Sequence, residues 1–549
     1  MTNHLGQAAK LSIWRLGEPI HLPDAHSTRR ATRERIKGPM QLSGADLTLG
    51  TLRGLLGSGD SVSLEPAARE RVLASRHIVE KLQRGRKAIY GINTGFGVLA
   101  DIRIAPSKIE QLQENLILSH AVGVGDEIPE ELVRLMLLLK INGLAIGFSG
   151  VTLELVDRLI LFANRRVHPI VYEKGSLGAS GDLAPLAHLT LPVLGLGKVR
   201  WKGRHVAARD VHRALKIRPL RLRSKEGLGM INGTQFMAAY AVHCLLRLET
   251  LLATADVIAA MSLEAHRGSA APCDERIHAA RPHPGQRQTA ANIRRLLARS
   301  EILPSHADCE KVQDPYSLRC VPQVHGASRD AARHAAAVVE IEINSATDNP
   351  LVFPNGDIVS GGNFHGQPLA LVLDHLAIAA AEIASISERR LYLLLGGDTV
   401  GERKVPRLLV KEGGLNSGQM LLQYTAAALV SENKILAHPA SVDSIPSSLG
   451  QEDHVSMGSI GATKLRRVVE NAETVLALEL LGAAQALDFI HPLHAGDAIE
   501  AAHRALRKRV RFLNKDRLLR DDIEQSIEAV CSGEILSAAE RKCGPLHRW

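Results

Sequence analysis

Three long stretches constrain what this chain can fold into. Residues 234–268, TQFMAAYAVHCLLRLETLLATADVIAAMSLEAHRG, form one nearly unbroken helical pattern, about 50 Å long. Residues 368–395, PLALVLDHLAIAAAEIASISERRLYLLL, and 463–490, TKLRRVVENAETVLALELLGAAQALDFI, are two more. Their apolar residues wrap much of the circumference, so each helix has to be buried on several sides. Helices of this kind call for a bundle, and stripes this wide suggest burial against further subunits as well. Aromatics make up only 3% of the chain and Ala and Leu dominate, which suits helix packed on helix through small and aliphatic side chains. The expected fold class is mainly α. At 549 residues the chain can hold two or three domains. Residues 1–43 read as a basic, partly flexible extension. Residues 44–233 read as a domain of short helices and glycine-rich loops, entered through Ser43 or Asp46 as a helix cap. Residues 234–549 read as the long-helix bundle.

Several function classes are disfavoured. No uninterrupted apolar run of about 18 residues is present, so no membrane span is expected. The opening MTNHLGQAAKLSIW lacks a charged start followed by a sustained apolar stretch, so no secretory signal is expected. Six cysteines without a CxxC pair fit reduced thiols in the cytoplasm. The net charge of +9 sits largely in STRRATRERIK (27–37) and HRALRKRVRFLNKDRLLR (503–520). The second is interleaved with apolar residues at helical spacing and reads as a solvated helix face, so nucleic acid is not an expected partner. The 24 histidines show no HExxH or tight Cys/His cluster, and no metal is expected.

Residues 175–188, GSLGASGDLAPLAH, place three of the smallest residues, Ala179, Ser180 and Gly181, just ahead of a helix start at Asp182. A backbone amide can attack the carbonyl two residues back only if the intervening residues are small and the turn is strained. The Gly181 nitrogen has no side-chain obstruction, and the Ser180 hydroxyl can leave as water. Cyclisation with dehydration yields a five-membered ring bearing an exocyclic methylidene, an electrophile made from the backbone. The bland reading is a glycine-rich helix cap. The whole run, however, closely resembles the signature of the histidine and phenylalanine ammonia-lyase family. Members of that family form a methylidene-imidazolone (MIO) group autocatalytically. The resemblance implies an MIO built from Ala179, Ser180 and Gly181 within the N-terminal domain, with helix N–H groups beside it where negative charge builds up.

Further blocks between about residues 46 and 530 resemble the same family. YGINTGFG (90–97) implies Tyr90 as the base that removes the β-proton, which needs a lowered phenol pKa or a strong electrophile. GFGVLA (95–100) also fits a dinucleotide pattern, but Asp126 lies too far on and no βαβ alternation follows. MINGTQ (230–235) implies that Asn232 contacts the MIO carbonyl. QDPYSLRC (313–320) implies roles for Gln313, Tyr316 and Arg319, with the Arg319 fork suited to a substrate carboxylate. A surface ion pair is the alternative for a lone arginine. GGNFHGQP (361–368) resembles the block that in this family places a phenylalanine against the MIO, which implies that role for Phe364, a loop plug being the alternative.

Two places point to the substrate. Ser119-His120, in ILSHAVGVG (117–125), matches the pattern of the family's histidine enzymes, and His120 offers an imidazole ring a hydrogen-bond partner. The stretch 425–458, TAAALVSENKILAHPASVDSIPSSLGQEDHVSMG, is also of the histidine type and implies Glu432 facing the substrate ring, the alternative being a salt bridge with Lys434 or Arg466. Leu177, Gln419 and the basic KVPRLLVKEGG (404–414) depart from the family pattern. The resemblance implies elimination of ammonia from L-histidine to give trans-urocanate, in a homotetramer whose active sites each draw on three subunits. A tyrosine or phenylalanine lyase, an aminomutase or a lyase for a histidine betaine would share most of these blocks. A non-catalytic helical scaffold is the remaining alternative.

Overall fold

The computed structural model of the chain describes residues 38–83, 89–95, 97–99, 102–309, 311–397 and 405–549. The basic segment 27–37, Phe96 and Ala100 of the GFGVLA stretch and Lys404 lie outside the described residues. Two helices of 31 residues, Gln235–Ala265 and Gly458–Asp488, pack against each other. Gln367–Tyr392 packs against both, and Val321–Glu342 lies against Gln235–Ala265 and Gln367–Tyr392. The three expected helical runs are thus three of the four long core helices. The fourth, VPQVHGASRDAARHAAAVVEIE, is sparse in large apolar residues and rich in alanine, so it carries little hydrophobic signal; its buried face is built largely from alanines.

Gly458 shows how these helices come together. A Cβ there would lie 2.4 Å from Met237 Sδ and 3.2 Å from Ala370 Cβ. A side chain at 458 would have to displace the Met237 thioether and press on Ala370, so a glycine here lets three helices meet closely. The helix begins at Gly458, five residues before the expected 463. Gln367–Gly396 is long and apolar enough to cross a membrane by length and composition, yet 67% of its apolar window is buried inside the protein. Its buried Asp374, Glu388 and Arg390 mark it as a core helix.

Strands are short and peripheral. Met40–Leu42 pairs in parallel with Val62–Leu64, so the last residues of the expected extension belong to a strand. Val124–Glu127 pairs with Tyr172–Lys174, and His168–Pro169, Lys198–Trp201 and Arg204–Ala207 form a three-stranded sheet. The first helix, Leu49–Ser58, is capped by Thr48 in a reciprocal box with Thr51. The expected caps Ser43 and Asp46 do not cap it, because the Ser43 hydroxyl donates to the Asp46 carboxylate instead. Residues 40–549 form one compact unit, and a single apolar cluster runs through both the 44–233 and 234–549 parts.

Candidate active site

The turn at 178–182 is held in an unusual backbone conformation. Gly178, Ser180 and Gly181 all have positive φ, of 85°, 51° and 80°. For Ser180 this costs about 1 kcal/mol. At Gly181 a Cβ would sit 2.2 Å from the Gly233 carbonyl oxygen, and at Gly178 it would sit 2.2 Å from Ser456 Oγ. Both positions admit only glycine. The Gly181 amide donates to the Gly178 carbonyl at 3.3 Å, and the Asp182 amide donates to the Gly233 carbonyl at 2.8 Å. The small residues that cyclisation requires are therefore pressed between the Asn232–Gly233 segment and the 456–457 segment.

Asp182 ties this turn to the start of Gln235–Ala265, one of the two 31-residue helices. Its carboxylate accepts the amides of Phe236 and Met237, both at 3.0 Å, and the Ser459 hydroxyl at 3.0 Å. The first amides of a helix lack intrahelical partners, which makes them ready donors to an anion. Asp182 is nevertheless fully buried, and burial pushes its carboxyl up to about 7 against these hydrogen bonds. Beneath Asn232 lies a second buried charge. Lys140, from the helix Glu130–Ala145, donates its Nζ to the Asn232 carbonyl at 2.7 Å. Burial lowers Lys140 to about 7, with the Asp348 carboxylate opposing the shift. Lys225 and Asp348 pair at 2.6 Å in the same buried layer.

Above the turn, Ser180 Oγ donates to Glu452 Oε1 at 3.1 Å, and Glu452 Oε2 accepts from Ser447 Oγ at 2.9 Å. Tyr90 is half-buried. Burial raises its phenol, a hydrogen bond with the Gly97 backbone opposes this, and the charges of Glu452 and Asp348 add to the rise. The lowered phenol pKa entertained for Tyr90 is therefore absent from the unmodified chain. His120 ends the helix Ile109–His120, and burial lowers its pKa while Glu452 opposes the shift. Ser119 Oγ donates to the Leu116 carbonyl at 3.2 Å and lies 3.0 Å from His120 Nδ1. That oxygen can accept from Nδ1–H of a neutral ring, leaving Nε2 as an acceptor. Phe364 is half-buried in the loop before Gln367–Tyr392. The neighbouring His365 Nε2 is 3.2 Å from the His454 carbonyl, and a Cβ on Gly366 would meet Met237 and Ser456.

The chain thus gathers Tyr90, His120 with Ser119, Ala179-Ser180-Gly181, Asn232 and the Phe364 loop around one turn. Four other candidates make different contacts. Gln313 is exposed and Tyr316 is 71% exposed. Arg319 stacks over the Tyr316 ring at 4.7 Å, and its buried Nε has no partner among the described residues. Glu432 is held by Arg467 at 2.5 Å and by Asn471 at 3.0 Å, both on Gly458–Asp488. The alternative considered for Glu432, an ion pair, is thus what the chain makes, with Arg467 in place of Lys434 or Arg466. Gln419 is buried and donates to the Leu481 carbonyl at 3.5 Å. Two site residues escaped the sequence reading. Glu452 lies near the end of the histidine-type stretch 425–458, where spacing alone does not distinguish it from Glu432, and Lys140 sits in an otherwise apolar helix with no motif around it. No group of three or more His, Cys, Asp or Glu side chains able to hold a metal ion occurs among the described residues.

Comparison with known proteins decides the lineage. The family described as aromatic amino acid lyase matches residues 47–508. This chain belongs to the aromatic amino acid lyases. A relative from Symbiobacterium thermophilum, named histidine ammonia-lyase, is 49% identical over 504 residues, covering 92% of this chain and 99% of its own length. The crystal structure of histidine ammonia-lyase from Trypanosoma cruzi is similar at a TM-score of 0.85 and 41% identity, covering 92% of this chain and 95% of that one. A tyrosine aminomutase from Streptomyces globisporus is similar at a TM-score of 0.86 and 37% identity, covering 92% and 99%. An aromatic lyase scaffold therefore carries more than one reaction, and the groups around the turn have to decide which.

Proposed function

We propose that this aromatic amino acid lyase eliminates ammonia from L-histidine to give trans-urocanate. The observation that carries the reading is the constrained Ala179-Ser180-Gly181 turn with Glu452 on the Ser180 hydroxyl and His120 beside it. Relatives named histidine ammonia-lyase at 49% identity point the same way. The Gly181 and Gly178 positions, where a Cβ would collide at 2.2 Å, fit a turn that closes into an MIO. That group, once formed, supplies the electrophile that activates the substrate for loss of its amine.

The chain's own residues do the rest. His120 and Glu452 hold the substrate imidazole, so the carboxylate facing the ring is Glu452 instead of Glu432. Tyr90 takes the β-proton; with its phenol raised, it depends on the electrophile to make that proton acidic. Asn232 and Phe364 line the turn. Arg319 takes the substrate carboxylate through its fork, with Gln313 and Tyr316 beside it. These three, exposed or unpartnered in one chain, serve the turn of a neighbouring copy in a homotetramer. Exposed apolar side chains support that assembly: Leu421, Tyr424 and Ile435 on Met420–Leu436 are 52%, 58% and 73% exposed. The six free cysteines suit a cytoplasmic location.

Replacing Ser180 with Ala tests the reading, because alanine has no oxygen to shed. The wild type should weigh about 36 Da less than its sequence and release ammonia from histidine. Ser180→Ala should keep the full mass and lose activity by about a thousandfold or more. Ammonia release from histidine matched or exceeded by that from tyrosine, phenylalanine or histidine betaine would reassign the substrate; a rearranged product without ammonia would make the chain an aminomutase.

A further inference from the structure

The helix Tyr316–Arg319 is a single turn of four residues. A turn this short has no stability of its own and has to be held by its surroundings. Its N-terminal side is held by Asp314, which is buried and accepts the Ser269 amide at 2.6 Å. Pro315, at the cap position, makes no side-chain cap hydrogen bond. The middle of the turn is held from below by a buried charge layer to which all four long helices contribute.

Arg390, on Gln367–Tyr392, is fully buried. Its Nε and Nη2 donate to both oxygens of Glu479, at 2.6 and 2.8 Å. Glu479, on Gly458–Asp488, also accepts the Ser262 hydroxyl from Gln235–Ala265 at 2.6 Å. The remaining arm, Nη1, points to two acceptors: the Ser317 carbonyl at 3.5 Å and His325 Nε2 at 3.4 Å. A guanidinium only donates, so His325 Nε2 is unprotonated and its proton resides on Nδ1. From there His325, on Val321–Glu342, donates to Asp256 Oδ1 at 2.8 Å, while Arg329 and Asn292 fill Asp256 Oδ2. Every strong acceptor in the layer is occupied. Two arms of Arg390 are fixed by Glu479, so the direction of the third is set by the bundle. It aims at the backbone midway between Tyr316 and Arg319.

We infer that Arg390 is a positioning residue for the substrate carboxylate site: it transmits the rigidity of the four-helix core to the one-turn helix that presents Tyr316 and Arg319. The inference rests on the reading that Arg319 takes the substrate carboxylate. Arg319 has few constraints of its own, since its side chain stacks only on the exposed Tyr316 ring and its Nε lacks a partner among the described residues. A planar fork binds a carboxylate well only when its plane is held in place.

Three variants test this in the full chain. Arg390→Lys keeps the charge beside Glu479 but lacks an arm to spare for Ser317. The paired change R390M with E479L removes both charges together, leaving no unpaired ion in the core. Arg319→Met tests the underlying reading. Histidine turnover gives KM and kcat, and competition by histamine, which has the imidazole and amine without the carboxylate, reports the rest of the site. Intact mass reports whether the turn has matured. We expect both Arg390 variants to raise KM for histidine about tenfold, with kcat within about threefold and histamine competition unchanged. Wild-type KM in either folded variant, or histidine and histamine weakened together, overturns the inference. Arg319→Met with unchanged KM overturns the carboxylate reading itself, so the two failures are distinct.

Discussion

Two glutamates in one stretch of sequence have opposite environments. Glu452 contacts the Ser180 hydroxyl and acts electrostatically on both Tyr90 and His120. Glu432 is 41% exposed and engaged by Arg467. Glu452→Gln should therefore lower kcat/KM for histidine by about 10²–10³, since it removes the charge among the reacting groups. Glu432→Gln should leave KM within about twofold and cost no more than about 1 kcal/mol of stability, as half-exposed ion pairs do; steady-state kinetics and urea melts on both variants separate the roles. Sequence periodicity could not make this distinction. The loop between the two glutamates reverses through positive φ at Ser448, Leu449 and Gly450, and only that reversal brings Glu452 back over the turn. Tyr90 gives a pH prediction. Its phenol is raised, so at neutral pH it is protonated and the fraction able to accept a proton grows with pH. The kcat/KM profile should keep rising through the alkaline range, and Tyr90→Phe should remove that limb along with most of the activity. A profile that is flat above neutrality in the wild type would count against Tyr90 as the base.

At the scale of elements, the site is a consequence of close helix contact. The start of Gly458–Asp488 packs on Met237 and Ala370, while residues just before it cover the turn: the Met457 amide donates to the Leu177 carbonyl at 3.0 Å. Gly458→Val would push a branched side chain into this three-helix junction. Overpacking of this kind should cost about 1–3 kcal/mol, read as a lower denaturation midpoint at unchanged m-value. The three large apolar runs were legible in the sequence because each has an apolar stripe wide enough to require burial. Val321–Glu342 was not, because alanine and buried polar residues such as His325 and Arg329 supply much of its inner face. Its buried polar groups are matched by partners on neighbouring helices, such as Asp256 for His325 and Arg329, which no single-helix pattern encodes.

At the scale of the whole molecule, one chain holds the turn proposed to close into a ring, while Tyr316 is exposed and Arg319 Nε has no partner among the described residues. The exposed apolar residues on Met420–Leu436 and Leu449, 94% exposed, fit a surface covered by other copies. In the proposed tetramer, dissociation should abolish activity. Ile435→Asp, which places a charge on this face, should shift the sedimentation behaviour toward smaller species and reduce turnover in parallel, while the mass deficit of the matured turn persists. Monomers with full turnover would refute shared active sites.

The amino-acid sequence alone determined the family signature: three of the smallest residues, Ala179, Ser180 and Gly181, just ahead of a helix start, the blocks that carry Tyr90, His120 and Arg319, and long apolar stripes that must assemble into a helical bundle. These depend on residue identity and short spacing, which are local properties. The tertiary structure alone decided which carboxylate meets the turn, that Asp182 and Lys140 are buried beside it at shifted pKa values, and that Arg390 reaches the helix carrying Arg319. Those outcomes depend on how far burial and neighbouring charges outweigh each group's own preference, and that balance exists only once distant segments have been brought into contact.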